Sequence, residues 1–215
     1  MKRGKNLLCR GATLLLAFVL WTALIQMIDV QPIGPMGTTV GFAGLNQWVH
    51  RLTGTNLLLY NITDWLGLIP LFVCMGFAVL GLNQLICRRN LLRVDTDILL
   101  LGLYYMIVIG FYLYFEVVSI NYRPILIQGR LEASYPSSTV LLVLCVMPTL
   151  IEQCNRRWKG AALKFVHGFS IAFSLFMIIG RIISGVHWIT DIVGAMLLSG
   201  GLFSIYQGLI LLEKR

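Results

Sequence analysis

This sequence predicts an all-α membrane protein: a bundle of six spanning helices with a short helix lying in the interface on the outer side. Three observations carry the expectation. Hydrophobic residues make up 58% of the 215 and charged residues 12%, with a mean hydropathy of +0.82, a composition outside that of soluble domains. The apolar residues fall in runs close to the roughly 20 needed to cross a hydrocarbon core. The basic residues sit in short tracts between those runs, so the net charge of +8 reads as a topology signal and not as a nucleic-acid surface. The chain reads as a single membrane-embedded domain, 1–215.

The first span is expected from Gly11 to about Ile28, behind a basic tract holding Lys2, Arg3, Lys5 and Arg10. Its length and the absence of a small-residue cleavage site favour a retained helix over a signal peptide. From Asp29 to Asp64 the polarity rises, with Pro32, Pro35 and several glycines, which predicts a connection outside the bilayer. Within it Phe42, Leu45, Trp48, Val49 and Leu52 recur at helical spacing and predict the interfacial helix, with Trp48 as its anchor. That helix reads equally as a lipid guide or as a simple cover for the bundle.

Trp65 to Cys87 reads as the second span, Thr96 to Phe115 as the third, and Pro136 to Ile151 as a short fourth. A polar segment, Glu116 to Tyr135, separates the third from the fourth. The fifth runs from Ala161 to about Gly180, and the sixth begins near His187 and ends before Glu213. Gly194, Ala195, Ser199 and Gly200 give the sixth a small-residue side suited to close packing. The five cysteines form no CxxC pair and read as small apolar packing residues.

Six spans place both termini on one side, and 13 of the 17 basic residues, including Lys214 and Arg215, then share it. The positive-inside rule makes that side cytoplasmic, and the short loops suggest a bacterial plasma membrane. The other four, Arg51, Arg123, Arg130 and Arg181, lie on the outer side, where topology supplies no reason for them. Ionisable residues within membrane segments are costly enough to be functional candidates.

Three outer stretches hold the chemistry: Glu116 to Pro124, Tyr135 to Thr139, and Arg181 to Asp191. His187 and Asp191 are four residues apart, which on a helix lets the carboxylate accept one ring N–H and leaves the other nitrogen bare. Arginine forks match phosphate oxygens, and a helix start at Pro136-Ser137-Ser138 adds free N–H groups. An anion pocket facing a nucleophilic imidazole is the expectation, and phosphoryl transfer through a phosphohistidine its chemistry.

These residues resemble the three signatures of the type 2 phosphatidic acid phosphatases, the lipid phosphate phosphatases. Arg181-x5-His187-x3-Asp191 is similar to the third signature, Arg123-Pro124 to the end of the first, and Tyr135-Pro136-Ser137-Ser138 to the start of the second. The resemblance implies His187 as nucleophile, Asp191 as its orienting carboxylate, Arg123 and Arg181 as phosphate clamps, and Ser137 and Ser138 as part of the phosphate cradle. It implies a phosphorylated lipid as substrate, with no metal or other cofactor, and this sequence offers no cluster of metal ligands. Membrane lipids are its other expected partners.

The sequence departs from the family pattern at three positions. Gly180 stands in place of Ser, Glu116 in place of Lys, and Thr139 in place of the His expected to protonate the leaving oxygen. A Thr hydroxyl is no general acid near pH 7. Glu116 reads either as a replacement acid or as an ion-pair partner of Arg123 or Arg130. His50 is another source of the proton, although an interfacial His ordinarily meets headgroups and water. His167 reads as a packed or hydrogen-bonded helix residue, and Asn61-Ile62-Thr63 as a chance glycosylation pattern.

Without the acid, a diphosphate is the least demanding substrate, because the departing phosphate is already a stable anion. The expected function is therefore an outer-face lipid phosphatase or diphosphatase, polyprenyl diphosphates included. A lipid phosphotransferase and a non-catalytic lipid-phosphate binding or transport protein are the alternatives.

Overall fold

The computed structural model describes residues 2–213, so the expected inner-side Lys214 and Arg215 lie outside the described residues. The described residues form eight α-helices: α1 (Lys2–Ile25), α2 (Ala43–Thr53), α3 (Leu57–Leu66), α4 (Leu68–Arg88), α5 (Thr96–Val117), α6 (Ser138–Arg157), α7 (Ala161–Ile183) and α8 (Ile189–Glu213). Six segments are long and apolar enough to span a bilayer, with α3 and α4 together making the second. The chain is an integral, multi-pass, all-α membrane protein.

The central element is α8. It packs along α1 and against α6, α5 and α7. Its small-residue side is what permits this: Gly194 receives the Tyr135 ring, while Gly201 and Gly208 receive Leu15 and Leu8 of α1. A buried core of Phe18, Tyr104, Val108, Leu141, Ile192 and Leu198 joins α1, α5, α6 and α8. Polar side chains in this core are paired, Gln153 with the Tyr206 hydroxyl at 2.8 Å and Tyr105 with Thr149 at 2.7 Å, as burial demands. The apolar faces of α4 and α7 point outward, with Phe72, Val79, Phe165 and Leu175 exposed, as lipid-facing surfaces should be.

Several expected boundaries move. Helix α1 starts inside the basic tract, not at Gly11. The second span opens at Leu57 instead of Trp65, because Asn56 caps the helix by accepting the Leu59 N–H at 2.9 Å. Its polar Thr63 is satisfied internally, donating to the Leu59 and Tyr60 carbonyls. The short fourth span becomes a full one to Arg157. Arg181 belongs to the last turn of α7, and His187 precedes α8 instead of lying on it.

The interfacial helix forms as α2, with Trp48 and Leu52 exposed. Buried Asn46 ties it to the bundle, bonding the Gly41 carbonyl at 2.8 Å and the Thr190 hydroxyl at 3.0 Å. Trp21 of α1 donates to the Thr190 carbonyl at 3.1 Å, so the first turn of α8 is held from two sides.

The connection from α7 to α8 depends on Gly185. It has a φ of +65°, and a Cβ there would overlap the Gly54 carbonyl oxygen. Gly185→Ala is expected to destabilise the protein by about 1–3 kcal/mol through that backbone overlap, read as a lower thermal midpoint in detergent. A midpoint equal to the parent protein's would show that the turn tolerates a side chain.

Candidate active site

One end of the bundle collects the expected residues, and the loop between α5 and α6 brings in Arg123. Its strands are pinned by a bridge between Tyr122 and Ala133 and by the Arg123 N–H to the Glu132 carbonyl at 3.0 Å. The loop docks on the start of α8 through three bonds. The Asn121 amide donates to Asp191 Oδ1 at 3.1 Å, the Trp188 indole to the Tyr122 carbonyl at 2.8 Å, and the Ser137 N–H to the Asp191 carbonyl at 3.2 Å. Arg123 and the N-terminus of α6 are thereby fixed relative to His187.

His187 is buried. Its Nδ1 lies 3.2 Å from the Ser134 carbonyl oxygen and 3.7 Å from Asp191 Oδ2. A carbonyl only accepts, so Nδ1 carries the proton and the neutral ring has its lone pair on Nε2. Nε2 is buried and has no hydrogen-bond partner. Burial lowers the His187 pKa to about 4; the nearby Arg123 and Arg181 charges act the same way, while Asp191 opposes them. At neutral pH the ring is uncharged.

The expected orienting contact is thus corrected. The ring N–H goes to the Ser134 backbone, because His187 sits two residues before the helix and the i,i+4 geometry of a continuous helix does not apply. Asp191 is the third residue of α8, and its Oδ2 accepts the Trp188 N–H at 3.0 Å. This is the reciprocal half of a capping box, with the carboxylate close enough to stabilise an imidazolium.

Arg181 is 1% exposed. Its Nη2 donates to Asp64 Oδ1 at 2.8 Å and to the Thr139 hydroxyl, leaving Nε and Nη1 buried without partners. Arg123 is 11% exposed; its Nε lies 3.1 Å from Glu132 Oε2 without hydrogen-bond alignment, and its Nη1 has no partner. The Ser137 hydroxyl is also buried and unpartnered, and does not cap its own helix. The first bond of α6 is the Leu141 N–H to the Ser137 carbonyl, so the N–H groups of 138–140 are the orphan donors of a helix start. Buried donors this numerous are without partners among the described residues, against the usual rule that buried polar groups are paired. Ser138 and His187 also line a narrow cleft, with Phe111, Tyr112, Glu116 and Leu141, that has about 10 Å³ of room.

The ion pair expected of Glu116 does not form among the described residues. Glu116, in the last turn of α5, is exposed and pairs with neither Arg123 nor Arg130 among the described residues; Glu132 is the acid beside Arg123. Arg130 is exposed on a tight turn closed by the Ile127–Arg130 bridge and joins no ion pair among the described residues, so it stands apart from the cluster. His50 packs against Trp188 with ring centroids 5.7 Å apart, and burial lowers its pKa. It borders the site as a neutral ring. His167 bonds Asn155 at 2.9 Å near the opposite end.

Sequence reasoning missed Tyr60, Asp64, Asn121, Glu132 and Ser134. The Asn56 cap was a usable signal for the first two, since a helix begun there puts Tyr60 and Asp64 on one face. Gly180 also finds a reason: a Cβ there would lie 2.7 Å from Thr63 Cγ2, so α3 packs where a larger residue would intrude.

No family model matches the sequence, and none of the curated proteins matches it. Among solved structures the fold is similar to that described as the first transmembrane PAP2 type phosphatidylglycerolphosphate phosphatase from Bacillus subtilis, with a TM-score of 0.68 and 18% identity over 96% of this chain and 98% of that one. At that identity the likeness speaks for the fold, which is the one the motif resemblance implied.

The double engagement of Asp191 gives a graded expectation. Asp191→Ala removes a cap and strands the buried Asn121 amide, at a cost of about 2–4 kcal/mol. Asp191→Asn keeps an acceptor for the Trp188 N–H and should cost clearly less. Thermal midpoints of the two variants in detergent check the order, and equal midpoints would contradict it.

Proposed function

We propose that this chain is a membrane-embedded lipid phosphatase that passes a phosphoryl group from a lipid diphosphate to His187 and then to water. The observation that carries this reading is the bare, buried Nε2 of a neutral imidazole, in the same site as unpartnered donors of Arg123, Arg181 and Ser137. A binding protein needs the donors but has no use for an imidazole whose tautomer is set. The structural neighbour, described as acting on phosphatidylglycerolphosphate, supports a phosphorylated lipid as the substrate class.

In the proposed reaction the Nε2 lone pair attacks the terminal phosphorus, and the bond to the bridging oxygen breaks with its electron pair leaving on that oxygen. Charge on the equatorial oxygens is met by the free N–H groups of both arginines and of the α6 start. The Asp191 carboxylate stabilises the imidazolium that forms. Water then attacks the phosphorus, the P–Nε2 bond breaks with its electron pair returning to Nε2, and inorganic phosphate leaves as the dihydrogen anion carrying both protons of the water.

Thr139 shapes the substrate preference. Its oxygen accepts from Arg181, and its hydroxyl proton can bond a departing oxygen without being transferred to it. A departing lipid monophosphate needs no proton, whereas a departing alcohol does. The site lies at the end of the bundle opposite Arg88, Arg89, Arg156 and Arg157, which supports a non-cytoplasmic site by the positive-inside rule.

Purified protein should release phosphate from a polyprenyl diphosphate faster than from the monophosphate, and His187→Ala should lower the rate at least about 10³-fold. Faster monophosphate turnover would reject the diphosphate, and turnover surviving in His187→Ala would reject the phosphohistidine.

The pH profile is a separate check. Protonation of His187 abolishes the nucleophile, so its titration imposes the acid limb of kcat/KM. With the free-enzyme pKa lowered to about 4, that limb should fall below pH 5, and kcat/KM should not drop between pH 7 and 5.5. A limb centred near the ordinary histidine value of 6.5 would contradict the buried, neutral ring.

A further inference from the structure

Helix α3 belongs to none of the stretches that signalled the site, yet it touches both arginines. The Tyr60 ring centroid is 5.1 Å from the Arg181 guanidinium carbon and 5.4 Å from that of Arg123. One turn later, Asp64 binds Arg181 Nη2 at 2.8 Å. Thr63, fully buried between them in sequence, sets the approach of α3 to α7 at Gly180.

We propose that Tyr60 and Asp64 form a seat that sets the affinity of the two arginines for phosphate, with Tyr60 acting for binding and Asp64 against it. Both are positioning residues. Two guanidiniums in one poorly solvated site repel each other, and an aromatic ring in contact with both attracts each cation. The ring therefore holds the pair at a fixed spacing with their remaining N–H groups free. Asp64 contributes the opposite sign. Its carboxylate, 55% exposed, is the resident counter-charge of Arg181 and competes with an incoming phosphate for the same cation.

This inference rests on the anion-site part of the proposed function and not on turnover, so it is tested by binding. The probe is inorganic phosphate, titrated calorimetrically into the purified full-length protein in detergent. Tyr60→Leu should weaken binding about tenfold, from the loss of two cation–ring contacts. Tyr60→Phe should recover most of that loss, because the Tyr60 hydroxyl makes no hydrogen bond among the described residues. Asp64→Asn keeps an acceptor for Nη2 but removes the competing charge, and should tighten binding several-fold.

A purely structural role for Asp64 would weaken binding in Asp64→Asn, and that result overturns the proposal. So does unchanged binding in Tyr60→Leu. Should Tyr60→Leu fail to fold, the sign of the Asp64→Asn effect still decides. Parent protein that binds no phosphate sinks both the seat and the anion site. Parent protein that binds phosphate with the predicted variant order but turns over no phosphorylated lipid sinks the phosphatase and leaves the seat standing.

Discussion

Two guanidinium groups, on Arg123 and Arg181, are withdrawn from water with buried N–H groups left unpartnered, and the architecture around the site follows from that constraint. A buried cation is tolerated only where geometry and hydrogen bonding compensate its lost hydration. Here each arginine keeps a single carboxylate at the rim and shares one aromatic ring, so the compensation is incomplete on the inward side. The inward side is where the helix start of α6 and the free nitrogen of His187 also lack partners. Donors left free beside a bare imidazole are what the proposed phosphate would satisfy.

The arrangement is rigid because its supports are shared. Asp191 caps α8, receives Asn121 from the loop, lends its carbonyl to the start of α6, and sits near His187. Thr190 next to it receives α1 through Trp21 and α2 through Asn46. Four separated segments therefore meet on two residues at the first turn of α8. The interfacial helix is a structural tie, holding the first turn of α8 from outside.

Much of this was legible in the sequence, for physical reasons that also mark the limit. The spans follow from uninterrupted hydropathy, and Arg123, Arg181 and His187 stood out because a membrane protein has little cause to keep cations at that end. Asp64 escaped notice because a carboxylate at the start of a span looks like a loop residue until the Asn56 cap is recognised. Tyr60 escaped because a tyrosine near an interface is ordinary. The ion pair expected of Glu116 failed because neighbours in sequence do not become partners when a loop closes on itself, and Glu132, across the bridge from Tyr122–Arg123, took the pairing with Arg123 instead. The Ser134 carbonyl could not have been foreseen, since a backbone acceptor leaves no mark in side-chain chemistry.

The two rim carboxylates differ from the arginines they face in one decisive respect. Arg181 and Arg123 are almost fully enclosed, whereas Asp64 and Glu132 are 55% and 37% exposed. Releasing either acid to water therefore costs the acid itself little, while moving either arginine would abandon the contacts that fix it. In the proposed reaction an incoming dianion replaces the carboxylates as counter-charge without rebuilding the cations' surroundings. Donors held in place before the proposed anion arrives would consume little of the binding energy in being ordered, and would leave more for the charge that develops as the phosphoryl group moves.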